Sequence, residues 1–423
     1  MTKKANSRTQ ANRSRVPTRH LTQKPKGNKH SKTGRPHSKL HGYQRETINM
    51  MHDKERMALL LDPGLGKTAI SLVHFHEQYE SMIVQRALVI APLRVMKTTW
   101  PDEMMEWQHL GDYSHFVLHG APAWKALDKA HRSHITLINP DGLARFERCA
   151  GELPRYDVVY VDESTYFKSH TSNRSKALTR ILTKHQGGVP QRFILTGTPQ
   201  PNGVEDLFGQ FRLVDPTILG KTKTAFYGNF GFQARRTHWG VEYNPGPLTQ
   251  ELIEKRIAPH AQILQASDEL DMPDLVEAVR TFTLDGKHVR LHKEMKTDLL
   301  AQVESGEVMA VNAAVATAKC RQIANGFLYV DDDGDPSAEP TRRTEWLHTK
   351  KAEDMASLHE ELGHRPLLVG YQFKADLENI LTYYKKNGLG KPSYISGDTT
   401  DDQASSLITK WNGGALPMLL VNT

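Results

Sequence analysis

A lysine followed by a threonine, Lys67-Thr68, closes the segment Asp62-Pro63-Gly64-Leu65-Gly66 and follows an apolar run, Leu59-Leu60-Leu61. An apolar strand, a glycine-containing turn, Lys-Thr and a helix start together make a loop that can hold a phosphate. The glycines let backbone N–H groups turn inward around the anion, and the helix N-terminus adds partial positive charge. In such a loop Lys67 would reach the β- and γ-phosphates and the Thr68 hydroxyl would hold Mg²⁺. One position departs from the full pattern, because Leu61 stands where a first glycine is wanted. The same residues would also suit a plain strand-to-helix turn with an exposed lysine.

A second chemical group lies far downstream. Val158-Val159-Tyr160-Val161 runs into Asp162-Glu163. A carboxylate directly after a buried strand can hold Mg²⁺ opposite Thr68, and its neighbour can orient and deprotonate an attacking water. Upstream, Gln44 begins a helical pattern about twenty residues before the loop. Its amide both donates and accepts, which suits the edge of an adenine.

These residues need a frame that brings them together. Arg86 to Ala91, Phe116 to Leu118, Ile135 to Ile138, Val158 to Val161 and Arg192 to Leu195 are short apolar runs separated by segments of helix length. Such alternation predicts a parallel sheet covered on both faces. In that arrangement ligands gather at the carboxyl ends of the strands. The polar clusters 62–68, 162–165 and 196–199 each follow directly on an apolar run, so all should sit on one edge of one sheet.

Charge separates the N-terminus from the rest. Twelve of the 55 Lys and Arg residues fall within residues 1–40, together with none of the 48 Asp and Glu, so the remainder of the chain is net acidic. Residues 1–39 are poor in apolar side chains and read as a disordered basic tail, suited to a non-specific grip on nucleic acid or simply to solubility. His30, His37 and His41 lack the Cys or carboxylate companions of a metal site. Two cysteines, Cys149 and Cys320, offer no disulfide framework. No run has the length of a membrane span, no secretory core is present at the N-terminus, and a cytoplasmic location, a host cytoplasm if the source is viral, is expected.

Asp62 to Thr68, Val161 to Thr165 and Leu195 to Pro199 resemble, in that order, motifs I, II and III of the superfamily-two helicases. The similarity is closest to the Swi/Snf-type DNA translocases, in particular their short phage-like members. Leu40 to Gln44 resembles the adenine-recognition motif, Ala91 through Trp100 motif Ia, and Gln200 to Gly203 with Asp206-Leu207 the continuation of motif III. The resemblance implies an ATP hydrolase using ATP and Mg²⁺ and moving on double-stranded DNA. It gives Lys67, Asp162 and Glu163 the catalytic roles and Gln44 and residues 62–68 the nucleotide. Thr196, Gly197 and Thr198 become couplers between ATP and DNA, and Arg94 a phosphate contact.

It also implies an α/β fold of two RecA-like lobes. The first spans 40–215, a helical insert and linker spans 216–275, and a partial second lobe spans 276–423. The insert interleaves Lys221, Lys223, Arg235 and Arg236 with Phe226, Tyr227, Phe230 and Tyr243, a composition suited to stacking on DNA or to a small aromatic core. Gln262-Ile263-Leu264-Gln265 stands where the family often has paired arginines. Asp331 to Thr341 is an acidic loop without the distal glutamate of a calcium hand. The last apolar run, Met418 to Val421, resembles the opening of motif V. On this reading motif VI and its arginine fingers lie outside the chain, the second lobe is incomplete at its C-terminus, and a complementing fragment is expected. A strand-separating DNA or RNA helicase and a non-hydrolysing DNA-binding fragment are the rival readings.

Overall fold

The computed structural model describes residues 34–120, 123–148, 152–184, 187–237, 240–273, 276–304, 310–331 and 342–423. The chain divides into two compact units, Met1–Asp274 and Leu275–Thr423. Most of the basic tail, His30, Cys149 and most of the acidic 331–341 loop lie outside the described residues.

The first unit is built on strands β1 (Arg56–Leu61), β2 (Ala87–Ile90), β3 (His115–Leu118), β4 (Ile135–Ile138), β5 (Val158–Asp162) and β6 (Gln191–Thr196), with a hairpin β7 (Gln233–Thr237) and β8 (Gly240–Asn244) and a strand β9 (Ala261–Leu264). Seven of these form one sheet in the order β3-β4-β2-β5-β6-β1-β9, with every neighbouring pair parallel. Strand residues alternate between two cores. Ala58, Leu60, Leu88, Val159, Val161 and Ile194 enter one cluster. Met57, Leu59, Leu61, Val89, Tyr160 and Leu195 enter the other. A strand that buries both faces must be apolar throughout, which is why these runs are continuous rather than alternating. The expected α/β class holds.

Helices α1 (Gly42–Asp53), α2 (Lys67–Glu80), α3 (Leu93–Lys97) and α4 (Thr99–Glu106) carry or flank the candidate residues. The sequence suggests one helix from Val95 to Trp107, and the structure makes two. Pro101 has no N–H to give to the carbonyl of Lys97, and Thr98 leaves the helical region at φ −120°, ψ −68°. Pro101 then falls in the first turn of α4, where N–H groups lack partners in any case.

Two expectations are corrected by tertiary contacts. Residues 34–39, read as part of a disordered tail, are pinned to the first unit. The Arg35 amide donates to the Glu106 carbonyl (2.7 Å), the Gln108 amide donates to the Arg35 carbonyl (3.0 Å), and the Arg35 guanidinium pairs with the Glu106 carboxylate (2.6 Å). Gly34 permits this approach, since a Cβ there would lie 2.8 Å from the Trp107 backbone. Secondly, 216–275 is not solely a helical insert and linker. It contains helices Lys223–Asn229 and Thr249–Ile257, but also the β7-β8 hairpin and β9. Gln262-Ile263-Leu264 belongs to β9, which pairs with β1 and adds the sheet's edge strand. The sheet of the first unit therefore draws on residues well beyond 215. The aromatics of this stretch form a core: Phe226 is buried and meets Phe208, Phe230 and Phe232, while Tyr227 stacks on Tyr243 at 4.0 Å.

The second unit holds an antiparallel hairpin, β10 (Phe327–Asp331) with β11 (Arg342–Trp346). Beside it is a parallel sheet in the order β12-β14-β13, where β12 is Leu367–Tyr371, β13 Ser393–Ile395 and β14 Met418–Asn422. Leu419 and Leu420 are buried on opposite faces, so the sheet is covered on both sides at β14. At β12 cover is partial. Among the described residues no strand pairs with its outer side, and Leu368 is 57% exposed.

Candidate active site

The registers of three adjacent strands bring the polar clusters level. Leu60 of β1 stands opposite Thr196 of β6, and Leu195 of β6 stands opposite Asp162 of β5. The loop after β1, the acid pair after β5 and the Thr-Gly-Thr turn after β6 therefore emerge side by side. With strands about 4.8 Å apart, β1 and β5 are separated by roughly 10 Å, a gap side chains can close. Chain reversal occurs here too, because β2 lies beyond β5 and β6 from β1. That is where α/β sheets open a crevice.

The loop itself has the conformation an anion cradle needs. Gly64 and Gly66 take φ of +90° and +74°. At Gly66 a side chain is excluded twice over, by this φ and because a Cβ would lie 2.3 Å from Nε2 of Gln44. The amides of Gly64, Gly66, Lys67 and Thr68 have no backbone hydrogen-bond acceptor among the described residues. The lysine folds back over the loop, its Nζ donating to the carbonyls of Leu61 (2.7 Å) and Asp62 (3.2 Å). Burial pushes the Lys67 pKa down, and the charges of Asp162, Glu163 and Asp62 push it up. Lys67, Asp162 and Glu163 thus act on one another electrostatically although nearly a hundred residues separate them.

Asp162 is 7% exposed. Its Oδ2 accepts from the Trp100 indole (3.0 Å) and its Oδ1 from the Glu163 amide (3.1 Å). Burial raises its pKa, against the indole hydrogen bond and then the charge of Lys67. Glu163 sits at φ +52°, a left-handed conformation that a glutamate rarely takes. Burial and the neighbouring Asp162 raise its pKa, opposed by Lys67 and by a hydrogen bond with the Thr196 side chain. Thr196 is fully buried, and its Oγ1 also accepts from the Thr198 amide (3.1 Å). Gly197 packs on the loop, where a Cβ would lie 2.9 Å from Cδ of Pro63.

Two expected residues stand differently. The Gln44 side chain is engaged first with the protein: Nε2 donates to the Leu65 carbonyl (3.2 Å) and Oε1 accepts from the His41 amide (3.0 Å). It anchors α1 to the loop and keeps one N–H and one lone pair for a ligand. Arg94 is exposed at the start of α3 and belongs to no ion pair among the described residues. Asp62 caps the region from the other side, with Oδ2 accepting from the Ala266 amide (3.0 Å).

Sequence reasoning missed Gln210. It is fully buried on helix Asp206–Val214, accepts from the Ser164 hydroxyl (2.7 Å) and donates to the carbonyls of Pro199 (2.7 Å) and Asp206 (2.9 Å). It thereby ties the turn after the acid pair to the turn after β6. A glutamine within an otherwise apolar helix face was the only signal.

The residues fit a hard divalent cation held by oxygen. Thr68 offers a hydroxyl, Asp162 a carboxylate, and substrate phosphates would supply the remainder. Among the described residues no three His, Cys, Asp or Glu side chains are grouped to hold a metal on their own. No helix among them is long and apolar enough to cross a membrane.

The profile of the SNF2-related domain matches residues 43–327. Protein p41 of Acyrthosiphon pisum secondary endosymbiont phage 1 is 31% identical over 387 residues, covering 90% of this chain and 80% of p41. Chromodomain-helicase-DNA-binding protein 8 of Xenopus tropicalis is 24% identical over 253 residues, which are 51% of this chain and 11% of that protein. The chain therefore spans about a tenth of that relative's length. The solved SWI2/SNF2 ATPase core of Sulfolobus solfataricus in complex with dsDNA shares 19% identity, with 91% of this chain and 78% of that one covered at a TM-score of 0.46. A match over two thirds of the sequence, from α1 to the start of β10, leaves no doubt of kinship: the chain belongs to the SNF2-related domain family.

Proposed function

We propose that this chain is a Swi/Snf-type ATPase that uses ATP hydrolysis to move on double-stranded DNA. The observation that carries the reading is that the loop carrying Lys67, folded over by its own Nζ, and the Asp162-Glu163 pair emerge at the level carboxyl ends of β1 and β5. The backbone amides of Gly64, Gly66, Lys67 and Thr68 receive the phosphates, and Lys67 exchanges its two loop carbonyls for phosphate oxygens. Thr68 and Asp162 would hold Mg²⁺, which when bound neutralises charge developing on the β- and γ-phosphates. Glu163, with its pKa raised, accepts the proton of the attacking water, and the Thr196 hydroxyl keeps it aimed. Through Thr196, Gly197 and Thr198 the same turn touches both the acid and the loop, which suits it to pass a change in the nucleotide onward. Arg94 presents an exposed guanidinium for a DNA phosphate.

Hydrolysis of Mg²⁺·ATP measured with and without duplex DNA tests the reading. DNA-stimulated turnover in the intact chain, lost in Lys67→Ala, is expected, and equal turnover in the two proteins would reject it. Displacement of a third strand from a triplex, without unwinding of a fork, would separate translocation from strand separation.

One observation favours a second reading, a DNA-binding fragment that hydrolyses slowly until a complementing polypeptide joins. The outer side of β12 is unpaired among the described residues, and Leu368 in its middle is 57% exposed. Parallel strands are ordinarily covered. If the second reading holds, turnover should rise on adding such a polypeptide while DNA binding should not change.

A further inference from the structure

We propose that Trp100 is a positioning residue for Asp162: its indole N–H takes one carboxylate oxygen and so determines which lone pairs remain to face the phosphate loop. The geometry follows from strand parity. Val158, Tyr160 and Asp162 lie on the same face of β5, and on that face Tyr160 belongs to the core that also holds Trp100, Met96 and Met104. The indole is fully buried, lies against Tyr160 (ring centroids 6.2 Å apart, tilted 40°) and donates to Oδ2 at 3.0 Å. Oδ1 accepts the Glu163 amide. Both oxygens are therefore oriented before any ligand arrives, one by a side chain from α4 and one by the adjoining peptide. Packing alone would be satisfied by any large apolar ring. Only an indole among the apolar rings also brings an N–H, which a carboxylate this deep requires to remain hydrogen-bonded.

Trp100 also makes Asp162 answer to α4. Pro101 and the break at Thr98 make Leu93–Glu106 one short two-helix segment, with Arg94 exposed near one end and Trp100 buried in the middle. A displacement of α4 would re-aim the carboxylate.

This rests on the nucleotide reading of the site, and the test separates the two. ADP affinity is measured with Mg²⁺ and with EDTA in the full chain, in Trp100→Phe and in Asp162→Asn. Phenylalanine keeps the ring and removes the donor. Since a hydrogen bond to a charged group corresponds to about ten- to hundred-fold in an equilibrium constant, Trp100→Phe should lose about that much of the Mg²⁺-dependent gain. Metal-free affinity should stay within about twofold. An intact gain, or an equal loss with and without Mg²⁺, overturns the proposal. A parent protein that binds ADP without any Mg²⁺-dependent gain overturns the proposal alone, and one that binds no ADP in either condition overturns the nucleotide reading as well.

A second readout needs no ligand. The chain has six tryptophans. With ¹⁵N-labelled indoles, Asp162→Asn should move one N–H resonance upfield in metal-free protein, and this resonance should be the one missing from Trp100→Phe. Indole spectra identical in the parent and Asp162→Asn would overturn the assignment even if Trp100→Phe does not fold.

Discussion

Glu163 shows how a single residue is set for chemistry by its surroundings. Its left-handed backbone turns the side chain away from the direction of β5, and the Thr196 hydroxyl receives it. Because burial and Asp162 both raise its pKa, it is a better proton acceptor than a solvent-exposed glutamate would be. Glu163→Gln should keep Mg²⁺·ATP binding within a few-fold yet lower kcat by about 10²–10⁴, measured by single-turnover hydrolysis beside equilibrium binding. The histidines of the first unit make a separate prediction. Burial holds the pKa of His74 down to about 3 and that of His134 to about 4, from an ordinary 6.5. Between those values and 6.5 the unfolded chain binds protons that the folded one refuses. Stability is therefore undiminished above pH 7 and falls as the pH drops through 6.5 toward 4. At pH 5 each buried histidine costs about 2 kcal/mol. Thermal unfolding should shift to lower temperature between pH 7 and 5, and less so in His134→Gln.

At the scale of elements, the site depends on how closely helices and turns approach one another. Helix Asp206–Val214 lies on the turn Ser164–Phe167 that follows the acid pair, and Gly209 makes this possible. A Cβ there would stand 2.1 Å from the Lys168 carbonyl and 2.4 Å from that of Phe167. Gly209→Ala should destabilise the first unit by about 1–3 kcal/mol, because backbone must move to admit the methyl. It should also weaken hydrolysis beyond what the fraction folded explains, since the displaced turn follows directly on Glu163. Melting curves and turnover normalised to folded protein would check this. Gly197 against Pro63 is the corresponding contact between the β6 turn and the phosphate loop. Gln210 stitches the same elements by hydrogen bonds instead of contact.

For the whole molecule, charge is divided unevenly. Residues 1–33 carry ten of the 55 Lys and Arg, while the rest of the chain is net acidic. Affinity for DNA by counter-ion release depends on how many phosphates are neutralised. Deletion of residues 1–33 should lower duplex affinity at low salt and flatten the slope of log K against log salt concentration, while leaving ATP affinity unchanged. Fluorescence anisotropy across a salt series reads both effects, and an unchanged slope would show that the grip lies elsewhere. Arg35, which is fastened to Glu106, would remain with the first unit in that deletion.

The apolar runs, the glycine turn, Lys67-Thr68 and Asp162-Glu163 were legible in the linear order, because buried parallel strands must be continuously apolar and must end where polar groups begin. Their convergence was legible too, as a consequence of parallel strands sharing one edge. Pairing between distant segments was not. That Leu264 would join β1, that Arg35 would be captured by Glu106, and that the Gln44 amide would hold the loop were settled by which surfaces met after folding. So were the indole of Trp100 on Asp162 and the hydroxyl of Ser164 on Gln210. Local pattern encodes which face of an element is apolar. Which polar atom answers another across sixty or two hundred residues depends on register and parity, and these exist only once the sheet has formed.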